Sequence, residues 1–488
     1  MRFPRIPKHV LPLALAFGIV AAHGAPSLAE DPLTLQTDPQ TQTLDRPWHG
    51  LSREEIQDWA KNHLHHKLVG RRVIDAKSHP EWAWFRESGL GLFLHWGPAS
   101  LPPANGDAWA MQWSPHRHQH NMLQLPEAMF AAAEQWNPEN YDPGKWMEAA
   151  SRAGFGYAVL TSRHHDGYCL WPTSHGKWDT GDLMGGRDLV KDYVEACRRH
   201  GIRIGLYYSG PNWHFDYKER EFSIPHNLGY NYLHQKTGIS TPAEVERRSN
   251  KESAAQVTEL LTHYGPIDMM WWDGGSIMTE EELAALQPDI FVARGNIATP
   301  EGRHHGESSN VKVTNEAGWW WELCIKPEET DTPFWHYNPA LETNHWSAGR
   351  ILAELVRCRS LGGNLLLNVP PRPNGELMDW FYLVCDTMAG WMRHSRESVV
   401  GVDLDPPLPT LDNTQNFTTK KGDTWYAMAD ERGSVRINDI PRPRSVTLLR
   451  TGAPLDFFHA HRSMTLVLPE SLRTDLPDMV KITFASGE

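Results

Sequence analysis

The chain has 488 residues, 40% of them hydrophobic and 22% charged, and 47 Lys+Arg against 60 Asp+Glu give a formal net charge of -13. That length allows two or three domains, and the composition excludes a disordered or fibrous chain. So acidic a chain lacks the basic footprint needed to grip phosphate backbones, which argues against nucleic acid as a partner. Its 22 Trp outnumber the 15 Phe and 13 Tyr. Indole combines an apolar face with one polar handle and suits ligands that are half apolar, as sugars are.

Arg2, Arg5 and Lys8 precede an apolar run from Val10 to Ala22, and small residues then lead to Ser27-Leu28-Ala29. This is the pattern of a secretory leader cleaved after Ala29, and the run is shorter than the roughly 20 residues a membrane-spanning helix requires. Export to the periplasm or the extracellular space is therefore expected, with no membrane anchor once the leader is removed. Cys169, Cys197, Cys324, Cys358 and Cys385 are scattered without CxxC spacing, so neither a disulfide scaffold nor a zinc site is expected. Residues 30–77 read as a polar tail and a His-rich lead-in helix.

From 78 to 395, short apolar runs alternate with helical patterns. The runs are Gly91 to His95, Tyr157 to Thr161, Ile202 to Tyr208, Ile267 to Trp272, Ile290 to Ala293 and Leu365 to Val369. Unbroken apolar runs of this length are typical of parallel strands buried on both faces. Asp188 to His200 and Glu252 to Tyr264 read as helices stopped by Gly201 and Gly265, since glycine tolerates the left-handed cap. The alternation predicts an α/β fold with a (β/α)8-like barrel. Residues 396–488 turn to Thr- and Asn-rich loops with short strands at Thr424 to Met428, Ser445 to Leu449 and Thr465 to Leu468, which predicts a C-terminal antiparallel β-sandwich.

In such a barrel, chemistry belongs at the carboxyl ends of the strands, so polar residues just after apolar runs are the candidates. His95 follows the first run. His164, His165 and Asp166 follow the second. A metal role for the His pair is disfavoured, because neighbours on extended chain point to opposite sides, whereas neutral imidazoles suit sugar hydroxyls. Tyr207 and Tyr208 close the third run, and either could be core. The fourth ends in Trp271-Trp272-Asp273-Gly274-Gly275, a carboxylate beside tryptophans on a glycine turn. Burying it is costly unless it caps the next turn or acts as nucleophile or base. Glu316 and Glu322 flank Trp319 to Trp321, and glycoside hydrolysis characteristically needs two carboxyls. Asp273 and Glu316 lie about one βα unit apart, so neighbouring strand ends could pair them. Asp268, earlier on the same strand as Asp273, reads as structural.

The stretches Leu90 to Gly97, Leu160 to Tyr168, Gly201 to Ser209, Trp271 to Gly275 and Gly362 to Pro370, in this order, resemble the retaining α-L-fucosidases of glycoside hydrolase family 29. The resemblance runs from about Trp84 to Trp391 and continues more weakly through the tail. It implies an exported exo-acting enzyme that removes terminal α-L-fucosyl residues from glycans by double displacement, with no cofactor or metal. Asp273 is then the nucleophile and Glu316 the acid/base, with Glu322 as second candidate. His95, His164, His165, Tyr207 and Arg294 would hold the sugar or support the nucleophile, and Trp109 and Trp335 would lie near its ring and methyl group.

Two positions depart from the pattern. Ala108-Trp109 stands where the family usually has Glu-Trp, so a carboxylate that commonly lies near the sugar is absent unless Asp107 substitutes. Trp335-His336-Tyr337 stands where a glycine usually occupies the middle place. The alternatives are the same mechanism on a fucose-like sugar such as an α-L-galactoside, a catalytically silent carbohydrate-binding protein, and a metal-dependent hydrolase using His164, His165 and Asp273.

Overall fold

The structure, a computed structural model, describes residues 79–102, 104, 106, 108, 126–220, 243–293, 301–302, 321–330, 332, 334–403 and 416–485. All belong to one unit, Trp48–Glu488. The leader, the polar tail, Trp109, Arg294 and Glu316 lie outside the described residues.

Eight parallel strands form one sheet: β1 (Leu90–Leu94), β2 (Tyr157–Arg163), β3 (Arg203–Ser209), β4 (Met269–Asp273), β5 (Phe291–Ala293), β6 (Glu301–Gly302), β7 (Trp321–Ile325) and β8 (Gly363–Asn368). Their order is β5-β4-β3-β2-β1-β8-β7-β6, and among the described residues no ladder joins β5 to β6. The sheet is curled. Trp271 Nε1 on β4 and Tyr157 Oη on β2 both donate to Glu322 on β7, although four strands separate β4 from β7 in the sheet order. This is the barrel-like layout that the apolar runs predict, with helices such as Leu189–Arg199 and Ala348–Ser360 supplying the crossovers.

Inside the curl, Phe93, Tyr157, Val159, Tyr207, Met269, Trp271, Phe291, Cys324 and Leu366 pack as one cluster. Large rings fit because small residues face them. A Cβ on Gly91 would stand 2.2 Å from the Tyr157 ring, so β1 can pass this tyrosine only as glycine. Truncating an interior ring of this kind to Ala typically costs about 3–5 kcal/mol. The opposite face of the sheet packs on the helices through a second cluster that includes Leu92, Leu160, Leu206, Tyr208, Met270 and Leu367.

Helix ends follow the local chemistry. Asp188 caps Leu189–Arg199 by accepting from Lys191 N at 2.9 Å, and Gly201 (φ +67°) and Gly265 (φ +69°) adopt the left-handed conformation expected of them. The second of these helices spans Ala243–His263 and so begins well before Glu252. All five cysteines are buried free thiols. No helix among the described residues is long and apolar enough to cross a membrane.

The C-terminal region forms two antiparallel sheets. One carries β9 (Thr418–Lys421), β10 (Thr424–Met428), β12 (Ser445–Leu448) and β15 (Met479–Thr483), and the other β11 (Ser434–Ile437), β13 (Phe458–Ala460) and β14 (Ser463–Val467). Alternate residues point inward, so Ala427, Val435, Ile437, Val446, Leu448, Met464, Leu466, Val480 and Ile482 make one shared core. This is the sandwich read from the sequence.

Candidate active site

At the carboxyl end of the sheet, β1 to β4 and β8 deliver polar side chains to one place. Register fixes their heights: Ser209 on β3 lies beside Asp273 on β4, and Tyr207 lies beside Trp271. Alternation then selects between the two tyrosines. Tyr207 points into the barrel and donates to Asp273 Oδ2 at 2.8 Å, while Tyr208 points outward and donates to Gln256 at 2.7 Å.

Asp273 ends β4 with its side chain 22% exposed, whereas His165, Ser209 and Tyr207 around it are buried. His165 Nε2 stands 3.4 Å from the same Oδ2, and its Nδ1 is bonded to Ser209 Oγ, which also lies 3.2 Å from Tyr207 Oη. The bond at Nδ1 orients the ring so that Nε2 faces the carboxylate. Directly after Asp273 the chain must turn. Gly274 has φ +68°, and a Cβ there would come within 2.5 Å of Pro211 Cδ, so the glycine is required both by backbone and by space.

On the other side of the pocket stand His95, His164 and His336. His95 Nδ1 is 2.7 Å from Asn368 Oδ1, and Asn368 Nδ2 donates to the Trp335 carbonyl at 2.9 Å. One amide at the end of β8 thus ties the His95 ring to the segment carrying Trp335. His95 and Trp335 lie 5.1 Å apart between ring centroids, and His164 stacks parallel to Tyr207 at 5.5 Å. Burial, followed by the charge of neighbouring imidazoles, holds His164 and His336 well below the ordinary histidine range, so both rings are neutral.

A family model described as alpha-L-fucosidase matches residues 60–397. The chain belongs to the α-L-fucosidase family. Among curated relatives, tissue alpha-L-fucosidase from Bos taurus is 28% identical over 379 residues, covering 72% of this chain and 75% of its own. Among solved structures, alpha-L-fucosidase isoenzyme 1 from Paenibacillus thiaminolyticus superposes with TM-score 0.66 at 26% identity, covering 83% of this chain and 98% of that one. A third relative is the GH29 alpha-L-fucosidase from Bacteroides thetaiotaomicron, described as a trapped covalent intermediate with 2-fluoro-fucosyl fluoride. It has TM-score 0.67 at 20% identity and covers 85% of this chain and 97% of that one, a likeness of fold. The protein is thus a glycoside hydrolase.

Within this α-L-fucosidase, the structure gathers His95, His164, His165, Tyr207, Asp273 and Trp335 at one end of the sheet. Glu322 is not with them. It lies near the start of β7, fully buried, with Oε2 accepting from Tyr157 Oη at 2.6 Å and Oε1 from Trp271 Nε1 at 2.9 Å. Trp321 and Glu322 open β7, so Glu322 sits at the amino end of the sheet and away from the site. Asp268 accepts from Arg203 Nη1 and Ile204 N, both at 2.8 Å, in a structural role at the foot of β4.

His164 and His165 do not diverge as extended chain would require: β2 ends at Arg163 and the chain turns, with Gly167 N donating to His164 O at 2.9 Å and φ +84° at Gly167. Their rings come within 4.4 Å, and ligand atoms of His164, His165 and Asp273 all lie within 4.8 Å of one another. Among the described residues this is the group whose donor set a divalent cation could use. Sequence reasoning left Ser209 and Asn368 unassigned, although each is a polar residue closing an apolar strand, the same signal that singled out Asp273.

Proposed function

We propose that the protein is an exported, retaining exo-α-L-fucosidase, with Asp273 as nucleophile and Glu316 as acid/base. The observation that carries this reading is the Asp273 carboxylate at the end of β4, oriented by Tyr207 and His165 while remaining part open. As the Asp273 carboxylate bonds to the anomeric carbon, the glycosidic C–O bond breaks and Glu316 gives its proton to the departing oxygen. Glu316 then takes a proton from water, which attacks the same carbon, releases Asp273 and leaves the sugar with its original configuration. Two displacements require the two carboxyls about 5 to 5.5 Å apart.

The neutral rings of His164 and His336 each offer one donor and one acceptor, as sugar hydroxyls require. Trp335 gives an apolar surface suited to the sugar ring and its methyl group. The substrates are fucosylated glycans or oligosaccharides, and the leader at residues 1–29 directs the protein to the periplasm or the extracellular space. Chemistry by these side chains alone needs no metal.

Incubation with 2-fluoro-fucosyl fluoride, digestion and mass spectrometry test the assignment. The expected result is one fluorofucosyl adduct on Asp273. An adduct on another residue would overturn the choice of nucleophile, and turnover with inversion would overturn double displacement.

A further inference from the structure

The two departures from the family pattern, Ala108 and His336, lie in touching segments. His336 N donates to Gly106 O at 3.1 Å, and a Cβ on Gly106 would stand only 2.9 Å from His336 O. The segment leading to Ala108 therefore rests on the backbone that carries His336. Ala108 is buried and has no polar group to offer, while its neighbour across this contact has gained an imidazole where the pattern has glycine.

That imidazole is 1% exposed and faces the pocket histidines edge-on, 4.6 Å from His164 and 5.6 Å from His95 between ring centroids. Among the described residues, His336 Nε2 and His164 Nδ1 are both buried without a hydrogen-bond partner. Folded proteins leave few polar atoms in that condition, and those they do leave call for a missing partner such as a ligand. A neutral imidazole, with one donor and one acceptor, matches a hydroxyl, which is also both.

We propose that His336 is a substrate-binding residue whose Nε2 hydrogen-bonds a ring hydroxyl of the bound sugar. This inference rests on the α-L-fucosidase reading and names one more group that holds the sugar.

The test compares wild type, His336→Phe and His336→Gly. Turnover of p-nitrophenyl α-L-fucoside and binding of L-fucose by tryptophan fluorescence are measured on each. Both single variants at His336 should lose roughly 10- to 100-fold in kcat/KM and bind L-fucose correspondingly less well. In the wild type, L-fucose should shift the ring nitrogen NMR signals of His336, a readout that requires no variant to fold.

Wild-type kcat/KM and L-fucose affinity in folded His336 variants, or ring signals unmoved by saturating L-fucose, would overturn the proposal while leaving the fucosidase reading intact. A wild type that neither hydrolyses the fucoside nor binds L-fucose would overturn both.

Discussion

The two ends of the barrel use the same residue types for different ends. Near the amino ends of the strands, Glu322 and Asp268 are met by fixed donors: Tyr157 and Trp271 for one, Arg203 and a backbone amide for the other. At the carboxyl ends, Asp273 is bonded through Oδ2 and part open, and the buried rings of His164 and His336 each keep a nitrogen that has no hydrogen-bond partner among the described residues. A carboxyl or imidazole becomes structural when the fold satisfies it and becomes available for chemistry when the fold does not.

The largest effect expected from that contrast is at Asp273. Asp273→Ala should lower kcat on p-nitrophenyl α-L-fucoside on the order of 10⁴-fold with the melting temperature nearly unchanged. A variant of near-normal activity would erase the distinction between the two ends. Glu322→Ala should behave in the opposite way. It removes the acceptor for two buried donors and should cost roughly 2–5 kcal/mol of stability, read as a lower urea midpoint. Retained stability with abolished turnover would instead move Glu322 into the catalytic machinery.

A smaller effect is expected at Tyr207. Tyr207→Phe keeps the ring stacked on Trp271 but deletes the hydroxyl that holds Asp273, so kcat should fall about 10- to 100-fold without loss of fold. An unchanged kcat would show that His165 alone orients the nucleophile.

The smallest effect concerns pH and stability. His164 and His336 stay neutral in the folded protein, but in the unfolded chain they take up protons as pH falls through about 6.5, so their contribution to stability is lost on acidification. Asp166, pushed up to about 6 chiefly by burial, acts oppositely between about 4 and 6, where the folded form keeps a proton that the unfolded chain releases. His336→Phe should therefore flatten the fall in melting temperature between pH 7 and pH 5. An identical slope in both proteins would contradict the assigned shift.

The barrel was legible in the sequence because strands buried on both faces must be apolar throughout, as Tyr157 to Leu160 and Leu365 to Leu367 are. Asp273 was legible because a carboxylate closing such a run requires a reason. What was not legible depends on geometry beyond the local pattern. Tyr207 and Tyr208 are chemically alike and are separated only by alternation within a known register. The convergence of His164 and His165 depends on β2 stopping at Arg163. Glu322 stood as the second acid/base candidate because its partners Tyr157 and Trp271, which fix it as structural, are remote in sequence. Asn368 reaches His95 only once β8 pairs with β1.

Double displacement at Asp273 is tested most directly on the chain lacking residues 1–29, by following hydrolysis of p-nitrophenyl α-L-fucoside with NMR of the anomeric proton. Double displacement at Asp273 predicts that α-L-fucose appears first and only later equilibrates with the β form. First appearance of β-L-fucose, or no release by a folded protein, would contradict it.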